Sequence, residues 1–309
     1  MNWWYVFSGL LIFLLFVGGP DADSHRVYQE IWDTGHVLLF ASLSWGLLRL
    51  PVLQARRWIE QFLIISGFCL VAGFAVEVLQ LFVNRNFEIK DLVNDLLGGY
   101  LGLLIFTAQQ LQRQLMLKVV IYSLMLAIIV GVLLPTIFAI VDEYIMQEEF
   151  PVLADFETPY ELGRWDNNLA SLSIVDKIFR HGKKSMQVDF YAGEYPDIAL
   201  KHFPRDWHGF SAIKFSIFNT AKKDLLIELK IYDQQHKPNG YKYSDRFNRV
   251  LTLKPGWNDF LIAMEDISSA PENRKMDLTD IASLSLFLHD LKQPVTLYFD
   301  GLMLVGASL

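Results

Sequence analysis

The chain has 309 residues, of which 52% are hydrophobic and 20% charged, and its formal net charge at pH 7 is −7. Because 27 Lys and Arg residues are outnumbered by 34 Asp and Glu residues, the basic surface typical of nucleic-acid binding is not expected. The single cysteine, Cys69, excludes an internal disulfide and a zinc site built from several thiolates.

Apolar segments dominate the chain before Phe150 and predict a membrane α-helical domain over residues 1–145 with about five spans. The segments cover residues 3–17, 37–53, 62–83, 92–108 and 119–141. The third and fifth reach the roughly 20 residues that a bilayer requires. The first segment lacks a basic flank and a small-residue cleavage site, so a membrane helix is favoured there over a cleaved signal peptide.

Basic residues in the short connections predict the orientation of these helices. Arg49, Arg56 and Arg57 lie between the second and third segments, and Arg113 and Lys118 lie between the fourth and fifth. Connections rich in Lys and Arg stay in the cytoplasm. The N-terminus is therefore predicted to be cytoplasmic, and everything after residue 141 is predicted to be extracytoplasmic.

Polar residues interrupt the apolar segments near their predicted outer ends. Such residues usually face a protein interior or a wet cavity, because an ionisable group in lipid costs several kcal/mol. Spacings of three or four residues place neighbours on one helix face. We therefore predict a ligand pocket at the outer membrane face, although Asp91 fits a helix N-cap equally well. The pocket residues are His36, Glu77, Gln80, Arg85, Asp91 and Asn94, with Asp33 and Asp95 in the same polar set.

After a short acidic connection, the pattern changes to alternation of apolar and polar residues. Runs such as 186–190, 213–217, 225–231 and 295–299 alternate with a period of two, which is typical of strands. Eight to ten such strands separated by turn sequences predict an all-β sandwich of the jelly-roll type over residues 146–309.

One turn-rich stretch of this second half carries the residue types that bind sugars. Aromatic rings stack under the C–H faces of a pyranose, while charged side chains hydrogen-bond its hydroxyl groups. Tyr241, Tyr243, Asp245 and Arg246 supply this combination. Trp165, Trp207 and Trp257 are more readily explained as sandwich packing.

The polar positions of the first half resemble those of the VanZ-like family of bacterial membrane proteins. The resemblance covers about residues 20–110 and rests on His36, on Glu77-Val-Leu-Gln80, on Arg85 and on Asp91-Leu-Val-Asn94-Asp-Leu-Leu-Gly98. Thr34 stands where the family often has Lys beside the acidic residue, so Asp33 lacks that neighbouring Lys as a pairing partner. The resemblance implies a multi-pass protein of the bacterial cytoplasmic (inner) membrane, in a family associated with low-level teicoplanin resistance.

The second half resembles carbohydrate-binding modules with a galactose-binding-like jelly roll. The resemblance rests on the opening Asp155-Phe156-Glu157, on Pro255-Gly256-Trp257-Asn258 and on the closing Tyr298-Phe-Asp300. In related modules an early acidic residue and the Asp of the last strand hold a structural calcium. This resemblance points to Glu157 and Asp300 as the corresponding metal ligands; no other cofactor is expected.

Three functions are compatible with these features. The first is a non-enzymatic envelope protein that recognises an envelope glycan, a membrane lipid or a lipid-linked sugar, with links to glycopeptide antibiotic resistance or envelope polysaccharide handling. The second is an intramembrane enzyme acting on a lipid-linked sugar or phospholipid, with His36, Glu77 and Asp91 as catalytic residues. A transporter is the third, since buried carboxylates and His also form proton relays. Nucleotide binding is not expected, because no phosphate-binding glycine loop follows a strand.

Overall fold

A computed structural model describes residue 9 and residues 24–81, 89–111 and 113–306. Within it the chain divides into two compact units, Met1–Ile140 and Val141–Leu309. The first predicted apolar segment lies outside the described residues apart from Gly9. The boundary at residues 145 and 146 stays a prediction.

The described part of the first unit is helical. Its helices are α1 (Arg26–Leu48), α2 (Pro51–Gln54), α3 (Trp58–Leu81), α4 (Ile89–Gln110) and α5 (Leu115–Glu149). Each of the second to fifth predicted segments falls largely within one long helix. Helix α5 runs on beyond the unit boundary and ends in the second unit.

Among the described residues, fewer helices qualify as membrane spans than the five predicted for the whole chain. Within the described residues, α3, α4 and α5 are long and apolar enough to cross a membrane. The second predicted segment lies in α1, but the first half of that helix carries Arg26, Glu30, Asp33 and His36, so it falls short of the hydropathy of a span. By length and composition of these three helices, the chain is a membrane protein.

Small residues of α4 bring its neighbours close. A Cβ atom at Gly98 would clash with the carbonyl oxygen of Val37, and one at Gly102 would clash with that of Ala41, both on α1. Gly99 faces Cys69 of α3 in the same way. The stripe of small residues therefore packs α4 between α1 and α3, as small residues do in membrane helix pairs.

The second unit consists mainly of antiparallel strands, in agreement with the alternating sequence pattern. The strands are β1 (Val152–Ala154), β2 (Trp165–Asn168), β3 (Ala170–Val175), β4 (Ser185–Phe190), β5 (Asp197–Leu200), β6 (Phe210–Asn219), β7 (Leu225–Asp233), β8 (Phe247–Leu253), β9 (Gly256–Ala263), β10 (Ile281–Phe287) and β11 (Val295–Gly306). A short helix, α6 (Met264–Ser268), follows β9. The described residues form eleven strands, slightly more than the eight to ten predicted. Short strands such as β1 and β5 carry too few alternations to be recognised from the sequence.

These strands form two sheets. One has the order β3-β4-β11-β6-β9, with β1 also paired to β11, and the other has the order β2-β5-β10-β7-β8. Apolar side chains from both sheets, including Met186, Ile217, Leu229 and Leu284, form one continuous core. The predicted fold class, a helical membrane bundle followed by an all-β sandwich, is confirmed.

The last turns of α5 belong to the core of the sandwich. Met146 packs in that core, and the Asp142 carboxylate accepts hydrogen bonds of 2.8 to 3.1 Å from the Arg164 guanidinium. Arg164 is 1% exposed and also donates to the carbonyl oxygen of Leu153. A buried guanidinium is tolerated because its donors are matched to a carboxylate and a carbonyl.

Candidate functional site

The imidazole of His36 lies between two carboxylates of α4. Nδ1 is hydrogen-bonded to Asp95 Oδ1 at 2.9 Å, and Nε2 lies 3.4 Å from Asp91 Oδ2. Asp91 and Asp95 are four residues apart, so both carboxylates leave α4 on the same face. All three side chains are at most 2% exposed.

Helix α3 completes this group of polar side chains. Glu77 and Gln80 are both buried on this helix. One turn before Glu77, Gly73 leaves room for Asp95, because a Cβ atom at Gly73 would overlap Asp95 Oδ2. We call His36, Glu77, Gln80, Asp91 and Asp95 the helical cluster; it draws on three helices.

The helical cluster differs in part from the predicted pocket. Asn94 is half-buried and has no hydrogen bond to the cluster among the described residues, whereas Asp95 takes a central place. Asp33 is ion-paired with Lys90 at 2.8 Å instead of turning toward His36. Arg85 lies outside the described residues.

Asp91 is not the N-cap of its helix. Helix α4 begins at Ile89, so Asp91 belongs to its first turn and its side chain faces His36. Asp95 belongs to the predicted polar set but not to the predicted pocket residues, although it stands four residues after Asp91 and one turn before Gly98 and Gly99. That position faces the seam where α1 and α3 both approach α4.

A second group of polar and aromatic residues lines an open cleft on the outer face of the β2-β5-β10-β7-β8 sheet. The cleft has a volume of about 350 Å³. Strand register explains its composition: Asp197, Phe287 and Glu228 lie side by side on β5, β10 and β7, and Lys230 lies opposite Ser285 in the next row. The lining residues are Tyr195, Asp197, Glu228, Lys230, Tyr243, Arg246, Phe287 and His289, which we call the sheet cleft.

Aromatic rings form one part of the sheet cleft. The ring centroid of His289 lies 5.4 Å from that of Tyr195 and 5.1 Å from that of Phe287. Tyr243 is 65% exposed, and the guanidinium of Arg246 lies 5.0 Å from its ring centroid. These rings provide both an apolar surface and cation–π contacts.

The charged residues of the sheet cleft are partly buried. Glu228 Oε2 is 2.8 Å from His289 Nε2. Burial raises the pKa of the Asp197 carboxyl above its ordinary value, although the Lys230 charge opposes this. The pKa of Lys230 is lowered, first by burial and then by the neighbouring charge of Arg246. Burial and like-charge repulsion both favour the neutral form of a lysine.

The predicted sugar-binding loop enters this cleft only in part. Tyr243 and Arg246 line it, whereas Tyr241 is exposed and packs its ring against the edge of His236. Asp245 accepts hydrogen bonds of 2.7 and 2.9 Å from Arg274, which holds the pKa of Asp245 at about 2. The Asp245 carboxylate therefore stabilises its own loop.

Most of the sheet cleft was missed by sequence reasoning. The residues not predicted are Tyr195, Asp197, Glu228, Lys230, Phe287 and His289. The signal was present in β7, where Glu228 and Lys230 occupy the outward positions between Ile227, Leu229 and Ile231. Alternation shows which residues face outward, but it does not show which outward residues of other strands lie beside them.

The predicted tryptophan roles and calcium ligands can be placed as well. Trp165 and Trp207 are buried in the core, as expected for packing residues. Glu157 Oε1 accepts backbone N–H groups of Lys183 and Lys184, and Asp300 Oδ2 accepts that of His181 at 2.8 Å.

The contacts of these two carboxylates in the described residues are to backbone donors, and the calcium site stays a prediction. Calcium requires six to eight oxygen ligands, whereas the 180–184 loop directs N–H donors at both carboxylates. No group of three or more His, Cys, Asp or Glu residues that could hold a metal occurs in the described residues. Within the described chain, the carboxylates of Glu157 and Asp300 hold this loop.

Part of the first half is similar to a known protein family. Residues 10–113 match the VanZ/LLP1 family model, in agreement with the resemblance of its polar positions. The match covers the apolar helices that carry the helical cluster. A comparison with curated proteins found no significant match.

Solved structures similar to the chain include modules of sugar-active proteins. A family 11 carbohydrate-binding module from Clostridium thermocellum, in complex with a mixed-linked tetrasaccharide, is 17% identical, with 50% of this chain and 95% of that chain covered and a TM-score of 0.39. An exo-β-agarase is 15% identical, with 51% of this chain and 26% of that chain covered and a TM-score of 0.41. A family 30 module of a Clostridium thermocellum cellulosomal cellulase is 12% identical, with 48% and 89% covered and a TM-score of 0.34. The two-sheet architecture itself rests on the strand pairing given above.

Proposed function

We propose that this chain is a bacterial envelope protein that recognises an envelope glycan or lipid-linked sugar through the sheet cleft of its sandwich. It acts by binding and not by turnover at this cleft. The helices hold it in the cytoplasmic membrane, with the N-terminus in the cytoplasm and the sandwich outside. The basic residues Arg49, Arg56 and Arg57 between α1 and α3 support this orientation.

The observation that carries the proposal is the combination of surfaces in the sheet cleft. A sugar ring offers apolar C–H faces and hydroxyl groups at its edge. Tyr195, Tyr243 and Phe287 provide rings for the faces, while Asp197 and Arg246 provide acceptors and donors for the hydroxyls. Clefts with aromatic walls and a few placed polar groups are the usual form of a small-molecule site.

Loss of one exposed ring tests this proposal. Full-length protein in detergent is titrated with soluble polysaccharides, and Tyr243→Ala is compared with Tyr191→Ala. Tyr191 is also an exposed tyrosine, but it follows β4 in the other sheet. We expect Tyr243→Ala to weaken binding roughly tenfold, since ring stacking contributes about 0.5–1.5 kcal/mol beyond its buried area. Equal binding by both variants would place the glycan site elsewhere.

The helical cluster supports a second part of the same proposal. Burying polar side chains in apolar helices costs free energy, so such side chains are usually kept where they have a function. The cluster combines an imidazole with carboxylates and the Gln80 amide, which suits the hydroxyl groups of a lipid or a lipid-linked sugar. We therefore propose that the polar head of such a lipid binds at this cluster.

Intramembrane catalysis is the second candidate function, and the geometry of His36 favours it over a transporter. An imidazole oriented by a carboxylate is the usual arrangement of a general base. With Asp95 at 2.9 Å from Nδ1 and Asp91 at 3.4 Å from Nε2, His36 has an orienting partner and a second carboxylate. In this alternative His36 transfers the proton, while Asp91 and Glu77 position the substrate.

One experiment separates recognition from catalysis. Purified protein is incubated with a polyprenyl-diphosphate-linked sugar, and both bound lipid and products are measured. Stoichiometric binding without product supports recognition. Turnover that is lost in His36→Ala, while Asn94→Ala remains active, supports an intramembrane enzyme. If neither binding nor turnover occurs, the helical cluster is a packing element.

Glycopeptide resistance is a finer prediction of the same proposal. If the protein takes part in it or in envelope polysaccharide handling, deletion of the gene should lower the inhibitory concentration of teicoplanin or change the amount of envelope polysaccharide. Restoration by the Asn94→Ala variant but not by His36→Ala would connect the phenotype with the helical cluster.

A further inference from the structure

Some charged side chains of the sheet cleft have an ion-pair partner and others do not. Glu228 is bound to His289, whereas the side chains of Lys230 and Arg246 form no hydrogen bond or ion pair with the part of the chain that the structure describes. Arg246 Nε is a buried donor without an acceptor there. Lys201 adds another positive charge at the end of β5, where its Nζ donates to the hydroxyl of Tyr232 at 3.3 Å.

Aromatic rings surround the two unpaired cations. The ammonium of Lys230 is 5.6 Å from the ring centroid of Tyr232 and 5.8 Å from that of Phe287, and Arg246 stacks on Tyr243. Cation–π contacts orient a cation, but they leave its positive charge in place. Two like charges in a partly buried cleft repel each other, so an anion that contacts both relieves this repulsion.

The surroundings specify which kind of anion fits. The planar fork of Arg246 can bind a carboxylate, sulfate or phosphate group through two hydrogen bonds. The exposed rings of Tyr195 and Tyr243 beside it offer stacking surfaces for a sugar. Building on the glycan-binding function proposed above, we propose that the sheet cleft recognises an acidic glycan whose anionic substituent is held by Lys230 and Arg246.

The other row of the cleft limits the charge density of this glycan. Asp197 and Glu228 stand two residues along their strands from the Lys230 row, a separation of roughly 7 Å. A second anionic substituent at that distance would meet carboxylates. A polymer that alternates acidic and neutral sugars therefore fits better than one that is acidic at every residue.

Binding of a polysaccharide panel to full-length protein in detergent tests the inference. The panel contains neutral mixed-linked β-glucan, hyaluronan with one uronate in each disaccharide, polygalacturonate, chondroitin sulfate and the non-sugar polyanion polyglutamate. We expect hyaluronan, which alternates acidic and neutral sugars, to bind most tightly, with affinity falling as salt rises. Hyaluronan carries uronate alone, so its comparison with chondroitin sulfate shows what an added sulfate on the second sugar does to binding.

Charge-removing variants connect binding with the two cations. Lys230→Met and Arg246→Met should each weaken acidic-glycan binding roughly tenfold or more, because a charged hydrogen bond contributes about 1.5–3 kcal/mol. Lys230→Arg should retain binding, which shows that the fold survives substitution at this position. Lys222→Met removes a charge from an exposed turn outside the cleft and should bind like the parent protein.

Three results would overturn the inference. If neutral and acidic glycans bind equally and Lys230→Met has no effect, the cleft binds sugars without charge selection, and only the glycan-binding proposal survives. If polyglutamate binds as tightly as the acidic glycans, the site responds to charge alone. If no polysaccharide binds to the folded protein, both the acidic-glycan inference and the glycan-binding proposal fail.

Discussion

The helical unit and the sandwich both bury carboxylates, but they surround them differently. In the sandwich, Asp142 is bound by the guanidinium of Arg164, a group that keeps its proton at all physiological pH values. In the helices, Asp91 and Asp95 instead face one imidazole, that of His36, a type of side chain that can be neutral or charged. The first arrangement is a permanent ion pair that stabilises the fold, whereas the second is the one that we propose for binding.

Removal of the Arg164 guanidinium should lower the free energy of unfolding by the largest amount. Arg164→Met leaves the buried Asp142 carboxylate without its main cation, and breaking a buried ion pair costs about 3–5 kcal/mol. Chemical unfolding of the full chain, followed by tryptophan fluorescence, measures the loss.

The matched control for this prediction is Arg180→Met. Arg180 and Asp259 form an ion pair of similar length, but both side chains are more than 40% exposed. Exposed pairs contribute at most about 1 kcal/mol. A similar loss in both variants would contradict the view that burial makes the Arg164 pair structurally important.

A methyl group added between helices α1 and α4 should lower stability by an intermediate amount. A Cβ atom at Gly98 would lie 2.5 Å from Val37 O and 3.0 Å from Phe40 Cβ, so Gly98→Ala must separate the two helices. Overpacking of this kind costs about 1–3 kcal/mol. The same separation moves His36 away from Asp95, so ligand binding at the helical cluster should weaken together with thermal stability in detergent.

Gly131→Ala is the control for Gly98→Ala. Gly131 lies in α5, and a Cβ atom there has no neighbour within 4 Å among the described residues. Alanine is the better helix former by about 1 kcal/mol, so this variant should be as stable as the parent protein or slightly more stable. Equal losses at both positions would mean that helix flexibility and not close packing explains the glycines.

The smallest effect is expected on the pH dependence of stability, through the ion pair of Arg274 and Asp245. Arg274 holds the pKa of Asp245 at about 2, below the value of about 3.9 for an unfolded chain. A lowered pKa stabilises the fold above the unfolded-state value, and this contribution is lost as pH falls toward 2. Stability of Arg274→Met, measured by unfolding between pH 5 and pH 2, should therefore fall less steeply than that of the parent protein.

Arg249→Met is the control for the acid series, because Arg249 pairs with Asp266 at the surface. Its curve should run parallel to that of the parent protein. If the Arg274→Met curve is also parallel, Asp245 does not couple folding to pH in this range.

Local sequence patterns were sufficient to predict the two architectures. Apolar segments near 20 residues require helices in lipid, because each backbone polar group must be bonded within its own segment. Alternation as in Ile227, Leu229 and Ile231 requires strands with one buried face. The polar residues of the helical cluster were also visible, since His36, Glu77 and Asp91 stand out in apolar surroundings.

Only the tertiary structure decided which of these residues meet. Asp95 and Asn94 are neighbours with similar side chains, and the approach of α1 and α3 to α4 selects Asp95. Asp197, Glu228 and Lys230 come from strands far apart in the chain, so their proximity depends on sheet order and register. A local pattern records the face on which a residue lies, whereas the pairing of distant strands results from the packing of the whole core.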